Sequence, residues 1–376
     1  MSKVYLMTWY RGVNYGSLLQ AYALQRHIIS EGHDCSLVDY RPAKFRQWAR
    51  KVRNGSVTET LRYKKEELAV TTDRETAEAF RERNTLFDRF RKEYLTVTPI
   101  CQNGKEITRE AGEDAVYVCG SDQIWNPHFL DPCYMLSFSA DKRKNIAYAP
   151  SIGVRQIPED RKKEYKKYLA GIGSISVREP SAAADINALT GQAPEVTTDP
   201  VFLLSAKKWE EIADPQQGKY LFCYFLGKSR RYMNVVRKMS EETGLPVIMV
   251  PVNASDMKKS HVTKCCAGPA QWLGLVMNAE HVFTDSFHCL AFSLLFHKQF
   301  TVFRRFSPDS KKEQNSRVES LLELAGMKDR LIALEEEMPR IDIKKEEFEA
   351  ADQKIGERAE FSKRWLREAL LATEGA

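Results

Sequence analysis

The sequence predicts an α/β protein of two domains. Short apolar runs ending on glycine or small polar residues alternate with stretches of helical periodicity, and this alternation starts afresh near residue 220. A chain of 376 residues also exceeds what one ordinary core organises.

The first unit opens as strand, glycine turn, helix. Val4-Tyr5-Leu6-Met7 reads as a buried strand and Arg11 to Ser17 as the turn. Leu18, Ala21, Tyr22, Gln25 and Ile28 then recur at helical spacing, and Cys35 to Tyr40 is the next strand. This is the start of a Rossmann-like unit. The alternation breaks between about 41 and 95. Arg46, Arg50, Lys51, Arg53, Arg62, Lys64 and Lys65 crowd there among Phe45, Trp48, Leu61 and Tyr63. Phe80, Phe87, Phe90 and Tyr94 then mark one face of a long helix. The segment reads as a helical, basic insertion in the first domain. It is either a solvated face or a lid or dock for an anionic, lipid-linked ligand.

The α/β pattern resumes with strands at Ala115–Val118, Asn145–Ala149 and Ser174–Val177, each leading into a polar corner, and Thr197-Thr198-Asp199-Pro200 closes this half. Ligands of open α/β sheets gather at the carboxyl ends of strands, so these corners point at one wall of a cleft. The second unit has strands at Tyr220–Phe225, Leu245–Val250, His281–Phe283 and Phe300–Phe303, with helices after Gly227 and Gly268-Pro269. Phe361, Trp365, Leu366, Ala369 and Leu370 make a terminal amphipathic helix. The expected partition is 1–205, 206–345 and a C-terminal helix over 346–376 that returns to the first domain. The two Rossmann-like halves are expected to face each other across a cleft.

Composition bounds the function. An apolar share of 43% with 29% charged residues is ordinary for a globular protein. No apolar run approaches a membrane span, and the N-terminus turns polar too soon for a signal peptide. Eight scattered cysteines without a CxxC pair read as reduced thiols, pointing to the cytoplasm. A net charge of +6 suits an acidic substrate or an anionic membrane surface, while no nucleic-acid module is present. No HExxH, paired DxD or Cys/His cluster argues for a metal.

The most chemical stretch is Thr284-Asp285-Ser286-Phe287-His288-Cys289, between the strand at His281–Phe283 and the buried helix Leu290–Phe296. It places a histidine at a strand-to-helix corner. A helix N-terminus offers N–H groups and a positive dipole to an anion, and imidazole exchanges protons near neutral pH. A histidine satisfied by backbone carbonyls is the plain alternative.

Five corners taken in order carry a resemblance. They are Asn14-Tyr15-Gly16-Ser17-Leu18-Leu19-Gln20-Ala21-Tyr22-Ala23-Leu24, Gly120-Ser121-Asp122-Gln123-Ile124-Trp125-Asn126, Ser176-Val177-Arg178-Glu179, Thr198-Asp199-Pro200-Val201-Phe202, and Thr284 to His288. Over about residues 1 to 325 the chain resembles the polysaccharide pyruvyl transferase family. That implies a GT-B-like fold. It also implies transfer of the enol-pyruvyl group of phosphoenolpyruvate to two hydroxyls of one sugar, giving a cyclic ketal and phosphate. The acceptor would be a sugar of an exopolysaccharide, capsule or cell-wall precursor, often lipid-linked. Phosphoenolpyruvate is then a co-substrate and no cofactor is expected. The enzyme would be cytoplasmic, with peripheral contact at the inner membrane face through the basic insertion.

By this resemblance His288 matches the family's histidine and is expected to be the acid. Arg178 matches its arginine and is expected to clamp the donor's anion, the plain alternative being an arginine that pairs with Glu179 or a helix end. Many members carry arginine two residues before the histidine, where this chain has Ser286. Ser286 can still donate a hydrogen bond. Arg304, Arg305, or Arg317 following Asn315-Ser316, are the candidate replacement charges. Asp122 is the candidate base, and Asn14, Tyr15, Gly16 and Trp125 are placed on the acceptor side. Asn14 and Asp122 can equally serve as cap and turn, and Trp125 as core. Two alternatives stay open: a metal-independent GT-B glycosyltransferase using a nucleotide sugar, and a non-catalytic scaffold of a polysaccharide assembly complex.

Overall fold

Both halves of the chain build parallel sheets of short strands, the central ones buried on both faces. The computed structural model describes residues 3–228, 230–306, 315–332 and 342–374. The side chains of residues 57–60 and of Arg62 and Tyr63, two of the residues in the basic insertion, lie outside what is described.

The first half runs β1 (Lys3–Met7), α1 (Tyr15–Ser30), β2 (Asp34–Tyr40), α2 (Lys44–Arg53), α3 (Val57–Thr72) and α4 (Arg74–Tyr94). It continues with β3 (Val97–Cys101), α5 (Gly104–Ala111), β4 (Val116–Cys119), β5 (Asn145–Ala147), α6 (Glu159–Leu169), β6 (Ser174–Val177), α7 (Pro180–Thr190) and β7 (Glu195–Val196). The seven strands order as β3-β2-β1-β4-β5-β6-β7, all parallel. All four residues of β4, Val116 to Cys119, are buried, as a central parallel strand covered on both faces requires. Helix α1 buries thirteen of its sixteen residues, so its apolar residues surround it instead of forming one stripe.

The second half runs α8 (Ala206–Glu210), β8 (Leu221–Tyr224), α9 (Arg230–Thr243), β9 (Val247–Met249), α10 (Ala254–Met257), β10 (Thr263–Lys264), α11 (Pro269–Asn278), β11 (His281–Thr284), α12 (Phe287–Leu295), β12 (Gln299–Phe303), α13 (Ser316–Ala325), β13 (Leu331–Ile332) and α14 (Lys345–Leu371). Its six strands order as β10-β9-β8-β11-β12-β13, also all parallel. Each sheet therefore winds outward in both directions from its first strand, the doubly wound Rossmann order. The chain is α/β with two Rossmann-like units, GT-B-like in that sense.

Contacts divide the chain into Met1–Thr60 with Tyr94–Leu203 and Glu357–Ala376, and Leu61–Glu93 with Leu204–Gly356. The expected insertion over 41–95 is thus split. Helix α2 stays with the first unit, while Leu61–Glu93 belongs to the second. Side-chain contacts give the reason. Arg83 of α4 donates to the Pro251 carbonyl at 2.7 Å and lies over the Phe80 ring, and Glu66 of α3 accepts from the Ala254 N–H at 2.6 Å and pairs with Lys228 at 3.0 Å. From Glu357 onward α14 packs on the first unit. Ser362 accepts from the Thr198 N–H at 2.9 Å, and Arg367 grips Glu31 at 2.5 and 3.1 Å.

Candidate functional site

In the second unit the winding reverses between β8 and β11, and the crevice at a reversal is where open α/β sheets bind ligands. Here Asp285 follows β11, and its carboxylate accepts from the Leu226 and Gly227 N–H groups at 2.6 and 2.7 Å. A Cβ on Gly227 would sit 2.7 Å from the Asp285 oxygen, so a side chain there would push the carboxylate from its present approach. Burial pushes the Asp285 carboxyl above the usual range, against the pull of Arg305 and the two N–H groups. Thr284 donates to the Tyr224 carbonyl at 2.7 Å and accepts from the Ser286 N–H at 3.0 Å, which fixes the turn.

Ser286 is the N-cap of α12, its hydroxyl accepting from the Cys289 N–H at 3.5 Å. His288 therefore lies in the first turn of α12, buried, with its ring edge-on to Phe287. The next strand of the sheet, β12, delivers Arg304 and Arg305 at its own carboxyl end. Arg304 is committed to Glu319 at 2.8 Å, which counts against it as the replacement charge. Arg305 lies beside Asp285 and over the Phe306 ring at 4.7 Å. Asn315 accepts from the Arg305 and Phe306 N–H groups at 3.2 and 3.3 Å and donates to the Phe306 carbonyl at 2.7 Å. It thereby ties the start of α13 to this corner, bringing in Ser316 and the buried Arg317. The Ser316 hydroxyl is buried with no hydrogen-bond partner among the described residues.

In the first unit the winding reverses between β1 and β4. Gly120 follows β4 at φ 137°, and a Cβ there would overlap the Tyr148 carbonyl of the neighbouring strand end. The peptide from Gly120 to Ser121 is cis. Gln20 of α1 bridges the crevice: its amide donates to Thr8 and Ser17 at 2.9 Å each and accepts from the Ser121 N–H at 3.1 Å. Asp122 accepts from the Ser17 hydroxyl at 2.5 Å and from the Gln123 N–H at 2.8 Å, with φ 61° in a left-handed turn. Asn14 caps α1 by accepting from the Ser17 N–H at 3.1 Å. Tyr15 and Gly16 are buried in the first turn of that helix.

Two placements differ from the sequence expectation. Trp125 is wholly buried and its indole N–H donates to the Tyr134 carbonyl at 3.1 Å, so it presents no face to a sugar. Arg178 is a buried counter-ion within the first unit. It pairs with Asp199 at 2.5 Å and lies 3.9 Å from Glu179, and Glu179 in turn accepts from Ser151 at 2.6 Å. Burial alone would lower the arginine's pKa, but Asp199, Glu179 and Asp122 together raise it. An arginine so surrounded has its charge already balanced inside the protein.

The second unit also holds a cavity of about 810 Å³ along α9 that the sequence did not reveal. Lys228, Arg230, Arg237, Lys258, Lys259 and His261 surround a small apolar floor. Lys259 pairs with Asp256 at 2.8 Å and Arg237 with Glu241 at 3.9 Å, leaving a basic balance. No group of three His, Cys, Asp or Glu among the described residues could hold a metal ion, and no helix among them is long and apolar enough to cross a membrane.

Among solved structures, the N-terminal domain of trehalose-6-phosphate phosphatase from Candida albicans aligns at TM-score 0.51 with 9% identity, covering 100% of this chain and 96% of that one. UDP-GlcNAc 2-epimerase from Neisseria meningitidis bound to UDP-GlcNAc aligns at 0.47 and 9%, covering 99% and 100%. UDP-GlcNAc 2-epimerase from Methanocaldococcus jannaschii, in complex with UDP-GlcNAc and UDP, aligns at 0.46 and 9%, covering 89% of each. At such identities the likeness concerns the fold alone. No curated protein matches the chain by sequence. The family model for polysaccharide pyruvyl transferases matches residues 14–307, which span all five ordered corners, from Asn14 at its first residue to the His288 turn. The chain belongs to the polysaccharide pyruvyl transferase family and is a transferase.

Proposed function

We propose that the enzyme transfers the enol-pyruvyl group of phosphoenolpyruvate to two hydroxyls of one sugar in a polysaccharide or lipid-linked oligosaccharide precursor. The product is a cyclic pyruvate ketal, and phosphate is released. The observation that carries this reading is the corner holding His288 in the first turn of α12, beside the strand end that bears Arg305.

The chemistry assigns work to these groups. His288 protonates the methylene carbon of phosphoenolpyruvate, leaving an oxocarbenium-like centre at its neighbour. The first sugar hydroxyl adds to that centre and gives up its proton. The second hydroxyl then displaces phosphate, and its proton completes the balance. Of the two protons released, one restores the acid and the other leaves with phosphate. Arg305, Arg317, the Ser316 hydroxyl and the N–H groups opening α12 and α13 supply the cationic and donor environment that the phosphate and carboxylate need. Ser286 contributes as the cap that holds α12 open toward the ligand. Asp122, oriented by Ser17 and the Gln123 N–H, is assigned to accept a hydroxyl proton on the acceptor side.

Titration calorimetry of phosphoenolpyruvate against wild type and His288→Ala tests the donor. Saturable binding altered by the substitution supports it. The basic cavity along α9 favours a second reading, a glycosyltransferase that takes a nucleotide sugar. Thermal shift separates the two: stabilisation by uridine or guanosine diphosphate but not by phosphoenolpyruvate selects the second.

A further inference from the structure

Helix α2 has none of its residues buried, yet it carries large apolar side chains. Phe45 is 75% exposed, Trp48 63% and Val52 48%. At 3.6 residues per turn these three fall within about 60° of one another, so they form one stripe. The opposite face is tethered. Arg50 pairs with Asp131, and Asn54 donates to the Leu130 carbonyl at 3.0 Å. The tethers hold α2 on the first unit with its apolar stripe directed away from it.

The charge is equally one-sided. The ten residues of α2 contain Lys44, Arg46, Arg50, Lys51 and Arg53 and no acid. Arg50 and Arg53 are paired, the latter with Glu164 at 3.4 Å. Lys44, Arg46 and Lys51 are exposed and make no ion pair with the described residues. Aromatic side chains on one face with unpaired cations beside them suit the boundary between lipid headgroups and acyl chains. A second copy of the helix would set like charges against one another, whereas an anionic bilayer complements them.

We propose that α2 is a membrane-surface contact. It lies on an anionic bilayer with Phe45, Trp48 and Val52 in the headgroup boundary and Lys44 and Lys51, which flank the stripe, on the lipid phosphates. This narrows the basic insertion to one helix and does not depend on which group the enzyme transfers.

The test is co-sedimentation of the full chain with vesicles of phosphatidylcholine alone or mixed with phosphatidylglycerol, at low and high salt. Wild type sediments with the mixed vesicles at low salt and is released by high salt. Phe45→Ser/Trp48→Ser keeps the wild-type melting temperature and loses about tenfold or more in partitioning, since affinity follows buried apolar area. Lys44→Gln/Lys51→Gln removes two cations, each worth about fivefold, and loses about 25-fold. Absence of binding to the mixed vesicles overturns the proposal, as does wild-type binding by both variants. A wild-type dimer in sedimentation velocity that Phe45→Ser/Trp48→Ser dissolves, without vesicle binding, assigns the stripe to self-association instead.

Discussion

Replacing Arg178 by alanine should damage the fold before it touches the donor. The substitution leaves Asp199 and Glu179, with side chains 0% and 1% exposed, as buried carboxylates without their cation. Asp122 adds a third negative charge to the same neighbourhood. Removing one partner of a buried pair costs about 3–5 kcal/mol, because the remaining charge keeps its desolvation penalty and loses its compensation. Residual hydrogen bonds soften this: Glu179 keeps Ser151 and the Gly153 N–H, and Asp199 keeps the Val201 N–H. A loss near 3 kcal/mol is therefore the expected value, which at a slope of about 3 kcal/mol per molar shifts a urea midpoint by about 1 M. Urea unfolding monitored by far-ultraviolet circular dichroism reads it, since Arg178, Asp199 and Glu179 all belong to the first unit. Replacing the pair together, as Arg178→Met/Asp199→Leu, should recover most of the loss. A single variant that unfolds within 1 kcal/mol of wild type, but no longer responds to phosphoenolpyruvate, would refute the reasoning and return Arg178 to the donor.

Four further outcomes are expected. Burial and Arg330 lower the His281 pKa to about 3, so the unfolded chain takes up a proton that the native chain refuses as pH falls from the ordinary value near 6.5. Stability should drop by about 2 kcal/mol at pH 5, and His281→Gln should flatten that slope in urea titrations. Gly120→Ala forces a methyl onto the Tyr148 carbonyl at positive φ and should cost several kcal/mol, read as a lowered melting temperature. Ser286→Ala removes the α12 cap and should cost about 1 kcal/mol, visible in the same unfolding assay. Ser316→Ala deletes a hydroxyl without a described partner, so stability should hold while phosphoenolpyruvate affinity falls in calorimetry.

Much of the fold was legible because it is local. Val116 to Cys119 and His281 to Thr284 are apolar runs ending at polar corners, and the structure makes both of them buried strands. Strand β3 was not anticipated, since Pro99 interrupts it and its residues are half-exposed at a sheet edge. The two-residue edge strands β7, β10 and β13 carry no periodicity to read. The insertion was visible as a break in alternation, but its division was not. Whether the face around Phe87 packs on one sheet or the other depends on contacts such as Arg83 with Pro251, 168 residues apart in the chain.

The candidate site followed the same division. His288 and Ser286 could be placed from the strand-to-helix turn alone. The partner that claims Arg178 lies 21 residues away, and only the pairing of β6 with β7 brings Asp199 within reach. Asn315 showed no role in sequence because its work is done on the backbone of Arg305 and Phe306. Trp125 looked like a sugar platform because tryptophan at a polar corner serves either as platform or as core, and burial decides between them.

The most direct test of pyruvyl transfer is phosphate release from phosphoenolpyruvate with a panel of sugar acceptors, using wild type and His288→Ala matched for folding by circular dichroism. Wild type should release phosphate only with an acceptor and yield a product heavier by one pyruvate less one water. His288→Ala should fall by about 10²–10⁴-fold, the range for losing a general acid. Equal turnover by the folded variant, or phosphate release that never adds mass to a sugar, would contradict the account.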